Sequence, residues 1–222
     1  MQPTVRSKLD PWTTGLLPSL KNLLGSRASA ASSVIIPPYV SRLFWYLAGA
    51  SMAISNSDRR FLLWCEEVKE DSHDPHRKVG VVIVDGDGHA ISTGTNAPPP
   101  QLGLSASDSH RAIASDPEWK YFMLEHAERN AINAARDKLQ LLKGATMYGT
   151  LFPCADCARA IVAAGISRLV VPGLSDDPDR DKKWLDHYRY AHKILDQAGV
   201  RVDVESNDDL TSGQDVRGIK KA

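Results

Sequence analysis

Residues 79–85 read Val-Gly-Val-Val-Ile-Val-Asp, an apolar run of strand length that stops at Gly86-Asp87-Gly88. So short and β-branched a run, closed by a tight-turn signal, predicts a buried strand, with His89–Asn96 as its hairpin partner. Before it, Phe61, Trp64, Cys65 and Val68 recur at helical spacing, giving an amphipathic helix that opens at Asn56 or Ser57 and ends near Lys69. After the hairpin, Pro98, Pro99 and Pro100 exclude both helix and central strand. A long polar connection follows, with a short helical piece near Trp119–Leu124. Helices are then expected at Ala127–Lys138, Cys154–Ala164 and Lys182–Ala198, and strands at Ala145–Leu151, Arg168–Val171 and Val200–Glu205. A hairpin followed by alternating helices and strands predicts a three-layer α/β/α domain around a five-stranded mixed sheet.

Composition narrows the partners. The 222 residues carry 27 bases and 27 acids, so the whole chain has no bias towards a polyanion. Residues 1–51 hold five bases against one acid, net +4, and the remaining 22 bases and 26 acids make residues 52–222 net −4. An acidic main body argues against nucleic acid as a partner, while a small nucleotide needs only one or two positive groups. Three cysteines cannot build a disulfide framework. The opening residues do not read as a cleavable secretory signal, and Leu43–Ile54 is shorter than the roughly 20 apolar residues a membrane span requires. A reducing, cytoplasmic setting without membrane partners is expected.

Residues 1–51, rich in serine, proline and small residues, are expected to be a disordered or weakly structured extension. Their basic, acid-poor character also suits a transit peptide, and Met52 also suits a natural start. The folded domain is expected over 52–206, and 207–222 reads as a flexible tail.

Two short stretches carry the chemistry: His126-Ala127-Glu128 and Pro153-Cys154-Ala155-Asp156-Cys157. Cysteines at i and i+3 share one face of a helix, and proline is tolerated in its opening turn. The positive end of the helix favours both sulfurs as thiolates, the form that binds metal. Together with His126 they make three soft or borderline ligands suited to zinc, and a set of three leaves the fourth corner of a tetrahedron open, as catalytic sites do. Residues i and i+2 on a regular helix point about 200° apart, so His126 and Glu128 converge only if His126 stands at the helix opening. Cys65, on the apolar stripe of the first helix, reads as a buried small hydrophobe rather than a fourth ligand. Trp184, Tyr188, Ala191, Ile194 and Leu195 read as core or oligomer contact, and His187 as a surface residue.

H-x-E followed by P-C-x-x-C is the signature of the zinc deaminases. Residues 57–205 resemble the cytidine and deoxycytidylate deaminase family, the deoxycytidylate branch above all. The likeness is carried by SHDPHRKVGVVIVD (72–85), STGTN (92–96), Lys120-Tyr121, HAERNAI (126–132) and MYGTLFPCADCARAIVAAGI (147–166). The resemblance implies a cytidine-deaminase-like fold, zinc on His126, Cys154 and Cys157, and Glu128 as the proton shuttle. It implies hydrolysis of a free cytosine nucleotide, dCMP to dUMP with loss of ammonia, by a homo-oligomer. Asn96 would bond the sugar, and the Ala127 amide the pyrimidine carbonyl.

The chain also departs from that branch. Thr95-Asn96-Ala97-Pro98-Pro99-Pro100 stands where Tyr-Asn-Gly with a further proline and glycine is usual, which stiffens the loop. An acid at Glu125 is unexpected beside a phosphate-bearing substrate. The competing readings are a deaminase of another free nucleoside or a modified base, and a catalytically silent zinc-binding domain.

Overall fold

The computed structural model describes residues 54–173 and 182–205. The expected extension, its Met52 start and the C-terminal tail lie outside the described residues. Helix α1 (Asn56–Val68) opens on a capping box, in which Ser55 accepts from the Asp58 amide and the Asp58 carboxylate takes the Ser55 N–H. Strands β1 (Gly80–Val84) and β2 (Ala90–Thr95) form the expected hairpin. Helices α2 (Ala106–Ser115), α3 (Trp119–Met123), α4 (Ala127–Ala134) and α5 (Leu139–Leu142) follow. Then come β3 (Thr146–Gly149), α6 (Ala155–Ala163), β4 (Arg168–Pro172), α7 (Leu185–Gln197) and β5 (Arg201–Glu205).

The sheet runs β2-β1-β3-β4-β5. β1 is antiparallel to both β2 and β3, whereas β3, β4 and β5 are parallel, so the five-stranded sheet is mixed as expected. Alternation along β1 divides its side chains between the two faces. Val81 and Ile83 join Met147, Leu169 and Val171 against Ala131, Ala158, Ile161 and Leu195 of α4, α6 and α7. Val82 and Val84 join Tyr148 and Val170 against Leu62 and Cys65 of α1. Helices on both faces complete the three layers. Among the described residues no helix is long and apolar enough to cross a membrane.

Several boundaries differ from expectation. The helix expected over 127–138 ends at Ala134, and a 3₁₀ turn at Arg136–Lys138 separates it from α5. The helix expected from Lys182 starts at Leu185 after a 3₁₀ turn. α2 stands in the stretch read as an irregular polar connection; it too opens on a capping box, Ser105 with Asp108.

One glycine fixes how the hairpin meets the helical layer. A Cβ on Gly94 would collide with the Ala131 amide nitrogen and the Ala127 carbonyl, so β2 lies directly against the backbone of α4. Gly94→Ala must push α4 off the sheet, and overpacking of this kind costs up to about 3 kcal/mol. Urea unfolding of this variant is therefore expected to show a loss near that figure; a loss below about 0.5 kcal/mol would mean that α4 can slide freely.

Candidate active site

His126 is the N-cap of α4, with extended backbone (φ −72°, ψ 149°) and a side chain that makes no capping bond. Because it stands before the first helical residue, the 100° helical step does not govern its direction, and its ring is free to face α6. Cys154 is likewise the N-cap of α6, at φ −73° and ψ 170°, so that Pro153 precedes the cap and Cys157 lies in the first turn. The His126 Nδ1 is 3.5 Å from each of the two sulfurs. A histidine nitrogen and a cysteine sulfur sharing one tetrahedral zinc stand about 3.5–3.6 Å apart, from bond lengths of roughly 2.0 and 2.3 Å. The three residues therefore fit zinc. Among the described residues no further histidine, cysteine or carboxylate joins this set within 4.8 Å. His187 groups instead with Cys154 and Asp156. Cys65, fully buried, belongs to the cluster between α1 and the opposite face of the sheet, where burial raises its thiol to about 12.

The two sulfurs and the His126 ring shift one another's hold on a proton. The Cys157 thiol donates to Cys154, and with His126 this outweighs burial and brings Cys154 down to about 4. Cys157 is raised by the same bond and by burial. His126 is raised by its bond to Cys154 against the opposing effect of burial. Glu128, 6% exposed, is raised by burial, while the His126 charge and a bond with Cys157 pull the other way. A carboxyl that holds a proton more firmly than usual, next to the sulfurs of a candidate metal site, is equipped for general acid/base work.

The segment preceding β1 and the loop after β2 converge on the same place. Asn96 is buried, and its Oδ1 accepts from the Ser72 hydroxyl at 2.6 Å and the Val79 amide at 2.8 Å. Its Nδ2 donates to the Arg77 carbonyl at 2.9 Å, leaving one N–H of the carboxamide outside these bonds. Asn130 of α4 donates to the carbonyls of Thr95 and Ala97, which ties this loop to the helix that follows His126. Ala127 is buried as the first residue of α4, and its N–H has no acceptor within the helix.

Two residues read as core or surface from sequence belong to the surroundings of the site. The Trp184 ring stands edge-on to His126, with centroids 6.1 Å apart, and Arg77 lies over that indole. Trp184 and His187 line an open surface pocket of about 340 Å³ with Glu118 and Tyr121. The Trp184 Nε1 and His187 Nδ1 are buried with no hydrogen-bond partner among the described residues. Nothing in the local pattern distinguishes Trp184 from a core residue; only the return of α7 across the sheet, next to α6, brings it to His126.

A sequence model of the family described as the cytidine and deoxycytidylate deaminase zinc-binding region matches residues 55–172. An uncharacterized deaminase in the luxG 3′ region of Aliivibrio fischeri is 34% identical over 149 residues, which span 67% of this chain and 93% of that protein. A probable deoxycytidylate deaminase of Caenorhabditis elegans is 34% identical over 140 residues, 62% of this chain and 68% of that one. Among solved structures, the apo form of dCMP deaminase from the cyanophage S-TIM5 resembles this fold with a TM-score of 0.50 at 20% identity, covering 68% of this chain and 99% of that one.

Proposed function

The chain belongs to the cytidine and deoxycytidylate deaminase family of zinc-dependent hydrolases, and from that membership we propose that it deaminates a free cytosine nucleotide, dCMP to dUMP. The observation that carries this reading is the trio of His126, Cys154 and Cys157 beside buried Glu128, with no fourth protein ligand among the described residues. The catalytic unit in this proposal is the 52–206 segment.

In this reading His126 Nδ1 and the Cys154 and Cys157 sulfurs hold zinc. Zinc held there would supply the Lewis acidity that makes water a nucleophile near neutral pH. Glu128 takes a proton from the attacking water at a carboxylate oxygen and delivers it to the ring nitrogen N3 as the new C4–O bond forms. It then carries the second water proton to the exocyclic amine as the C4–N bond breaks, so that ammonia leaves and a carbonyl remains. The overall balance is one water consumed and one ammonia released. The Ala127 N–H donates to the pyrimidine carbonyl, and the remaining Asn96 N–H donates to the sugar. Tyr121 and Trp184 line the adjoining pocket and offer aromatic surface to a base. The assembly is proposed to be a homo-oligomer; Phe122, 83% exposed on α3 next to cavity-lining Tyr121, is an apolar surface suited to a subunit contact.

A second reading is favoured by Glu118, which lines the pocket and whose negative charge would repel a phosphate. It makes the substrate an uncharged nucleoside. Ammonia release from the zinc-loaded chain over dCMP, CMP, deoxycytidine, cytidine and a cytosine-containing oligonucleotide separates the two. The highest kcat/KM is expected on dCMP. Preference for deoxycytidine would transfer the assignment to the second reading, and no release from any of these substrates would defeat both.

A further inference from the structure

We infer that Glu125 is a positioning residue of the metal site, holding His126 and Arg129 in the arrangement that lets His126, Cys154 and Cys157 grip zinc. The inference rests on the zinc reading above and adds a residue to it.

Some helix starts satisfy their first amides by a reciprocal pair: the N-cap side chain accepts from the third helical residue, whose own side chain reaches back to the N-cap amide. This chain uses that device at Ser55 with Asp58 and at Ser105 with Asp108. At α4 it cannot, because the N-cap is His126, whose imidazole faces the sulfurs, and the third helical residue is Arg129, which has no acceptor to offer. The carboxylate comes from outside the helix instead. Glu125 Oε1 accepts the His126 N–H at 2.8 Å and the Arg129 Nε–H at 2.6 Å, and the Arg129 terminal nitrogen bonds the same oxygen. One oxygen thus fixes both the N-cap amide and the third-residue side chain, leaving the His126 ring uncommitted.

The same residue ties this cap to the substrate loop. The Glu125 N–H donates to the Ala97 carbonyl at 3.0 Å, and the two residues form an isolated antiparallel bridge. Glu125 and Arg129 are 28% and 30% exposed in their side chains, so the pair is partly withdrawn from solvent. The guanidinium it anchors lies within the field of the Cys157 and Cys154 sulfurs. A surface ion pair of this spacing would be worth little. What sets this one apart is that its acceptor oxygen also holds the backbone of a candidate metal ligand. The acid that looks out of place beside a phosphate-bearing substrate is thereby accounted for: it faces the helix cap, and Arg129 offsets its charge.

Groups that orient a ligand typically change metal affinity by about 10- to 100-fold when removed. The test is zinc affinity of the full chain, measured by competition with a chromophoric chelator and needing no substrate. Glu125→Met keeps the size and removes the acceptor oxygen, and is expected to weaken zinc binding by about 10- to 100-fold. The cobalt-substituted variant should show altered ligand-field bands, which a purely structural role would leave as in the wild type. Because Arg129 is held through Glu125, the double variant Glu125→Met/Arg129→Gln should bind no more weakly than Glu125→Met alone. Zinc affinity within threefold of wild type for Glu125→Met overturns the inference, as do fully additive effects. If Glu125→Met does not fold, Glu125→Gln, which keeps an acceptor oxygen but loses the charge that holds Arg129, should still weaken zinc binding by more than threefold and move the cobalt bands, and a variant with neither change overturns the inference too. A wild-type chain that binds no zinc defeats the zinc reading as well; wild-type binding with unaltered variants defeats only the role of Glu125.

Discussion

Glu128→Gln is expected to keep its zinc and its fold and to lose turnover by about two to four orders of magnitude, the usual worth of a positioned general acid/base. The side chain is 6% exposed in the first turn of α4, so the isosteric amide fills the same space without leaving a cavity. It can still donate and accept hydrogen bonds, but it cannot take a proton from water and hand it to a ring nitrogen. Metal content should hold because the three candidate ligands are His126, Cys154 and Cys157 rather than the carboxyl. Stability should hold or rise, because a buried carboxylate is costly to keep charged and burial already raises Glu128. The measurements are zinc per chain, urea unfolding and kcat on the best substrate of the panel. Turnover within tenfold of wild type would assign the proton transfers to another group, with His187 the first to consider, since it stands beside Cys154.

How much of this was legible in the sequence depends on how local each feature is. The β1–β2 hairpin is written in consecutive residues: an apolar run, a glycine-flanked turn and an alternating partner. The starts of α4 and α6 are equally local, because a candidate metal ligand is itself the N-cap in each. The strand order is not legible, since β1 pairs with β3 across β2 and the helices α2 to α5, and the pattern does not name its partner. α2 was missed because only Ser109 and Ile113 of its ten residues are buried, too few for an apolar period, although its Ser105–Asp108 box is readable in retrospect. From sequence Trp184 reads as core and His187 as surface, because their neighbourhood depends on α7 returning beside α6. The bonds that Ser72, Val79 and Arg77 make to the Asn96 carboxamide likewise join segments about 20 residues apart, which spacing alone does not announce.

The other large effect expected lies on the α1 side of the sheet. Asp58, 4% exposed in the first turn of α1, receives both terminal nitrogens of Arg168 at 2.7 and 3.0 Å and the Tyr148 hydroxyl at 2.7 Å. Arg168 also reaches Asp203, which Arg201 bonds in turn, so one charged network joins α1 to β3, β4 and β5. Asp58→Ala would leave the Tyr148 hydroxyl without its acceptor and the Arg168 guanidinium with Asp203 alone, and breaking a buried pair from one side costs up to about 3–5 kcal/mol. The effect has a definite pH dependence. Burial alone would raise the Asp58 carboxyl, but Arg168, Tyr148 and Ser55 outweigh it and hold the group well below the usual carboxylate range. A depressed folded-state pKa stabilises the protein above the unfolded value of about 3.9 and loses that contribution as pH falls below it. The gap between wild type and Asp58→Ala in urea unfolding should therefore be flat from pH 6 to 8 and shrink below about pH 4. Because the network packs against α1 and not α4, kcat per folded molecule should be unchanged. A gap under about 1 kcal/mol at pH 7 would place Asp58 among ordinary surface ion pairs, whose removal costs no more than that.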